Sequence, residues 1–119
     1  ERSMDYRRIN KLVDWPLTIS SEVIYLIEKI GDKDAGLWSF FKRDDNSFVI
    51  HAEMAPDFKG KKAIESAKAA FRWIFENTGA DFIKAEILKE NMKACRVATW
   101  SGMKNLGIEG DFRHFKLKR

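Results

Sequence analysis

The stretch PDFKGKKAIESAKAAFRWIF, residues 56–75, decides how this chain is read. A proline closes a strand-like run, lysines at 59, 61 and 62 surround Gly60, and a new periodicity begins. Ala63, Ala67, Ala70, Phe71, Ile74 and Phe75 recur at spacings of three and four, the apolar face of a helix over 61–78. Asn77-Thr78-Gly79 supplies its stop. Strand-like runs at 48–55 and 81–88 (DFIKAEIL) flank this helix, giving a strand-loop-helix-strand unit. Amides at such a helix start lack intrahelical acceptors and carry partial positive charge, which suits phosphate. Gly60 admits a close backbone approach, and the lysines add attraction. The P-loop ending in Gly-Lys-Ser/Thr and the three-glycine dinucleotide fingerprint are both absent. From this stretch alone, a phosphate cradle and a charged start to an ordinary helix both remain open.

Working outward, GLWSFFKRDDNSFVIHAEMAP (36–56) reads as a β-hairpin around a polar turn at 43–47. DYRRI (5–9) suggests a first strand. A turn at Trp15-Pro16 and a cap at Ser20 predict a helix over SEVIYLIEKI, with Val23, Ile24, Ile27 and Ile30 on one face. NMKACRVATWSGM (91–103) predicts a helix ending near Gly102, and GDFRHFKLK (110–118) a last strand. The order β-α-β-β-α-β-α-β implies one α/β or α+β domain over 1–119, with a mixed, largely antiparallel sheet.

Composition bounds the function. Hydrophobic residues at 45% and charged residues at 34% are the profile of a globular domain. Apolar runs fall short of a membrane span, and a lone Cys95, read as core, fits a reducing compartment. The expected setting is cytoplasmic, with residues 1–3 read as additions ahead of a natural start at Met4. With two histidines and one cysteine, a dedicated zinc centre is not expected. Residues 1–60 carry 9 basic against 11 acidic side chains, and residues 61–119 carry 13 against 7. The second half therefore favours an anionic partner.

A second motif joins the first. ENMKACRVATWSGM places Asn91, Ala94, Val97, Gly102 and Met103 at the spacings of the cofactor-binding helix region in the GNAT superfamily of acyl-CoA-dependent N-acyltransferases. Residues 56–75 resemble that family's pyrophosphate loop and the helix after it, especially in the ribosomal-protein-acetyltransferase-like branch. The resemblance covers roughly residues 47–107 and implies a GNAT-like sheet with acetyl-CoA as cofactor. It maps the strand end, bulged in that family beside the cofactor, onto Glu53, Met54 and Ala55. The loop maps onto Phe58, Lys59, Gly60, Lys61, Lys62 and Ala63, and the family asparagine onto Asn91, which equally fits a helix N-cap. Asp57 stands where the family's loop opens with Gln or Arg, Lys62 where it has a small residue, and Ala98 where many members carry a thiolate-protonating tyrosine.

Acyl transfer from a thioester to an amine needs a general base. Strand alternation places His51 and Glu53 on one face, so both are catalytic candidates, against plainer readings as a sheet histidine and a solvent-facing carboxylate. The expected partners are a CoA thioester and an amine acceptor. The alternative is a GNAT-fold binding or assembly module of weak or no activity, with a protein partner or second copy, of the kind encoded among phage head genes. Such a module would work in host cytoplasm or virion. Nucleic acid and membrane are not expected. Phe112 and Phe115 among the basic residues 113–119 could stack on bases, but an edge strand guarded by charges is the preferred reading.

Overall fold

The computed structural model describes residues 2–7 by backbone and residues 23–119 in full. The hairpin arms are β3 (Lys33–Arg43) and β4 (Ser47–Met54), preceded by β1 (Arg2–Arg7) and β2 (Val23–Ile30). Helix α1 (Lys61–Asn77) leads to β5 (Phe82–Leu88), then α2 (Met92–Trp100), β6 (Lys104–Glu109) and β7 (Phe112–Lys118). The seven strands form one sheet in the order β1-β2-β3-β4-β5-β7-β6. Among the described residues only β4 and β5 pair in parallel, so the fold is mixed α+β with a largely antiparallel sheet, as expected.

Two sequence expectations are corrected. The segment read as a helix with Val23, Ile24, Ile27 and Ile30 on one face is strand β2. Its residues from Val23 to Glu28 are all buried, so it is covered on both faces and lacks the alternation that marks a half-exposed strand. The last strand is not an edge: β7 lies between β5 and β6. The edge is β6, whose six residues are all exposed, leaving no burial pattern to read. The Trp15-Pro16 turn, the Ser20 cap and the end of the first expected strand lie outside the described residues.

Alternation sorts the sheet into two faces. Ile24, Leu26, Trp38, Phe40, Phe48, Ile83, Ala85 and Phe115 pack with Ala67, Ala70, Phe71 and Ile74 of α1 and Cys95 and Ala98 of α2. Both described helices thus cover one face. Val23, Tyr25, Ile27 and Leu37 form a second buried cluster on the other, where burial pushes the Tyr25 hydroxyl's pKa up. Helix α1 is held to β3 by a buried hydrogen bond, Trp38 Nε1 donating to Ser66 Oγ at 2.9 Å.

The position of the site follows from β4 and β5. They pair only at Ser47↔Phe82, Phe48↔Ile83 and Val49↔Lys84. Beyond Val49, β4 stays in unshifted register with β3 as far as Met54, so the family's bulge has no counterpart in that ladder; β4 leaves β5 instead. The paired end is clamped from outside. Lys84 pairs with Asp45, and Asn46 Nδ2 donates to the Gly79 carbonyl (2.7 Å) and Asp81 Oδ2 (3.1 Å). Asn46 takes φ 60°, a left-handed conformation that asparagine tolerates. Lys84 and Ser47 both hydrogen-bond the Asp45 carboxylate and hold its pKa below the ordinary value. A sheet pinned at one end and parted at the other contains a wedge-shaped cleft.

Candidate active site

Three structures meet at the open end of the wedge. The first is the loop from Ala55 to Gly60, held by Ala55 N–H to the Ala35 carbonyl (2.8 Å) and Phe58 N–H to the Ala55 carbonyl (2.9 Å). Phe58 is its anchor, buried with Ala35 and Ala63 beneath Met54. Burial of such a ring contributes about 1.5–3 kcal/mol, enough to fix a short loop. Gly36 makes room: a Cβ there would stand 2.8 Å from Met54 Sδ.

The second is the start of α1. Its N-cap is Gly60, at φ 65° and ψ −134°, and among the described residues no side chain caps the helix. Ile64 N–H bonds the Gly60 carbonyl at 3.1 Å, so the amides of Lys61 and Ala63 precede the intrahelical ladder. No acidic residue occupies the first turn, and a Cβ at Gly60 would meet nothing within 4 Å. These amides and the helix dipole face an open space suited to an anion.

The third is α2, whose start is built the opposite way. Asn91 caps it, Oδ1 accepting from Ala94 N–H at 3.2 Å. Of the two roles open to Asn91, the structure shows the cap, and the residue also lines the cleft. One helix start is closed by its own side chain, and the other has no side-chain cap among the described residues.

The cleft itself measures about 1120 Å³. Of the expected residues it gathers His51, Met54, Ala55, Phe58, Lys59, Gly60, Ala63 and Asn91. Lys61 and Lys62 are exposed beside it, and Glu53 lies off its wall. The two catalytic candidates do share a face: His51 Nε2 stands 3.8 Å from Glu53 Oε1, the imidazole largely exposed and the carboxylate about one-third exposed. Residues that sequence reasoning missed include Glu86 on β5 and Lys93, Arg96 and Trp100 on α2. The α2 trio was findable, since 93, 96 and 100 repeat at helical spacing beside Ala94 and Val97. Nothing in the sequence marks Glu86, whose importance comes from the parting of the strands. Beyond Val49, the β4 edge facing the cleft is free of β5, so an extended ligand carrying amides can add to it like a strand.

Residues 3–104 match the family model of the acetyltransferase (GNAT) domain. The chain belongs to the GNAT family. No curated protein sequence matches it. Among solved structures, the GNAT chain resembles the Campylobacter jejuni N-acetyltransferase PseH, also solved with acetyl coenzyme A, at TM-score 0.73 and 20% identity, covering 84% of this chain and 70% of that one. AAC(6')-Ib in complex with ribostamycin and coenzyme A gives TM-score 0.71 and 15% identity, over 82% of this chain and 65% of that one. The ribosomal-protein-S5-alanine acetyltransferase from Vibrio fischeri gives 0.68 and 17%, over 82% and 62%. At these identities the likeness shows the fold, and the GNAT chain spans about two-thirds of its neighbours' length.

Proposed function

We propose that this GNAT domain is an N-acetyltransferase that takes acetyl-CoA in the wedge between β4 and β5 and passes the acyl group to an amine. The observation that carries the reading is the uncapped start of α1 at the open end of the parted strands. The Gly60 to Ala63 segment would hold the pyrophosphate through backbone amides, aided by Lys59 and the neighbouring Lys61 and Lys62. The free β4 edge from His51 to Met54, continued by Ala55, would hydrogen-bond the amide-bearing arm. Relatives solved with acetyl coenzyme A or coenzyme A support the choice of cosubstrate.

The bound thioester supplies the activated carbonyl. The amine nitrogen forms the new C–N bond, the C–S bond breaks, and the departing thiolate takes a proton from solvent. Glu53, backed by His51, would accept the proton the amine must shed, directly or through water. Ala98 carries no acid for the thiolate, so the chain's catalytic contribution rests on positioning and on this base.

Isothermal titration with CoA and acetyl-CoA, with thermal melts, tests the reading. Saturation at a hundredfold excess over Kd should stabilise the fold by about 2.7 kcal/mol. No binding at millimolar CoA would overturn it and leave a binding or assembly module, phage-encoded or otherwise, as the function of the fold.

A further inference from the structure

We propose that the two lips of the parted strands hold the two ends of an acceptor diamine. Glu86 on β5 grips one ammonium group, and Glu53 with His51 on β4 receives the amine to be acylated. This rests on the N-acetyltransferase reading above and names its acceptor class.

Strand registers bring the residues together. Tyr25 pairs with Ser39, Ser39 with His51, and Glu86 with His114. The ladder between β4 and β5 ends at Val49↔Lys84, so two residues further on His51 and Glu86 stand level on opposite lips. Chain neighbours fix the face. Trp38, Phe40, Ala85 and Phe115 belong to the core beneath the helices, so Ser39, Glu86 and His114 face the other way, with the Tyr25 and Leu37 cluster. One polar rank, Tyr25-Ser39-His51-Glu86-His114, thus crosses the sheet at the level where the strands separate. Both of the chain's histidines are in it.

The rank is incomplete in itself. Ser39, 1% exposed, has a hydroxyl with no hydrogen-bond partner among the described residues. Buried side-chain hydroxyls are nearly always paired. His51 Nε2 and Glu53 Oε1, at 3.8 Å, are beyond hydrogen-bond reach. Among the described residues Glu86 makes no ion pair, and its exposed side chain lines the cleft together with His51.

Charge and shape select a cation with an alkyl spacer. Lys84 and Lys116 occupy the next rank on the same face, but both are engaged toward the pinned end. Lys84 pairs with Asp45, and Lys116 Nζ lies 3.8 Å from the Phe82 ring centroid. The other basic residues lining the cleft, Lys59, Lys93 and Arg96, belong to the loop and to α2 on the helix side. In the opposite direction Leu88 and Phe112 pair directly, 51% and 40% exposed, and both line the cleft. They give methylenes an apolar surface between Glu86 and the level of Glu53. From Glu86 to Glu53 the path is two residues along the strand, ~6.8 Å, and at least one strand spacing across, ~4.8 Å, or ~8 Å in all. That span suits a short alkyl diamine better than a single ammonium group.

The test uses the CoA-saturated chain, with 1,4-diaminobutane as probe and butylamine as the matched monoamine. Binding is followed by NMR of the two imidazoles, one on each side of the gap. The diamine should shift both His51 and His114 and bind about tenfold tighter than butylamine. Glu86→Gln should bring the two affinities within about twofold of each other with CoA affinity retained, and Glu86→Asp should recover part of the preference. Imidazoles that do not respond, or equal affinity for the two amines, overturn the diamine site and leave the N-acetyltransferase reading standing. A preference that survives Glu86→Gln overturns Glu86 as its anchor. A chain that binds no CoA overturns both readings.

Discussion

Gly60→Ala is the most informative single perturbation of the loop. Gly60 sits at φ 65° and ψ −134°, a region that side-chain-bearing residues almost never occupy, yet the added methyl would touch nothing within 4 Å. The cost is therefore backbone strain, about 1–3 kcal/mol if the loop keeps its shape. For a domain of this size each kcal/mol lowers Tm by roughly 4 °C, so a fall of about 4–12 °C is expected. If the loop relaxes instead, the amides of Lys61 and Ala63 turn from the ligand. Losing one charge-assisted hydrogen bond, worth ~1.5–3 kcal/mol, weakens CoA binding roughly 10- to 100-fold. Gly110→Ala is the matched control, because Gly110 has φ 64°, equally open surroundings and no place in the cleft. Calorimetry with CoA and with ADP as the pyrophosphate probe should separate the two variants. If Gly60→Ala binds both ligands as tightly as Gly110→Ala and is no less stable, the cradle argument is wrong.

Three further outcomes follow. Ser66→Ala leaves the buried indole N–H of Trp38 without its acceptor and should cost about 1–3 kcal/mol in urea unfolding; a loss below 0.5 kcal/mol, by the same measure, would mean the bond is replaced. Glu53→Gln should slow acyl transfer ~10²–10⁴-fold with CoA affinity retained, and His51→Ala should act in the same direction, both read by thiol release. Asp45 has a folded-state pKa below its unfolded value, so its contribution is present above about pH 4 and lost as pH falls through the folded value. D45N should remove that acid-side decline, and an unchanged acid limb of the stability profile would show the Lys84 pair to be inert.

Legibility in the sequence tracked the physics of each segment. α1 was readable because its apolar positions repeat at helical spacing, and the hairpin because its arms are aromatic and β-branched around a polar turn. β2 was not, since Val23, Ile24, Ile27 and Ile30 satisfy a helical template equally well when a strand is buried on both faces. β6 was invisible because an exposed edge strand writes no hydrophobic pattern. Around the cleft, motif spacing picked out Phe58, Lys59, Gly60, Ala63 and Asn91, which line it. Glu86 was not, because the parting of β4 from β5 belongs to tertiary geometry.

That parting also governs how the molecule holds together mechanically. Three residue pairs form the described strand ladder between a four-strand half and a three-strand half. The rest of the connection is the clamp of Asp45 and Asn46 on Gly79, Asp81 and Lys84, together with side-chain packing under the helices. Amide exchange across Ser47–Val49 and Phe82–Lys84 therefore samples the seam, and slower exchange there on adding ligand would show the two halves being stitched into one plate.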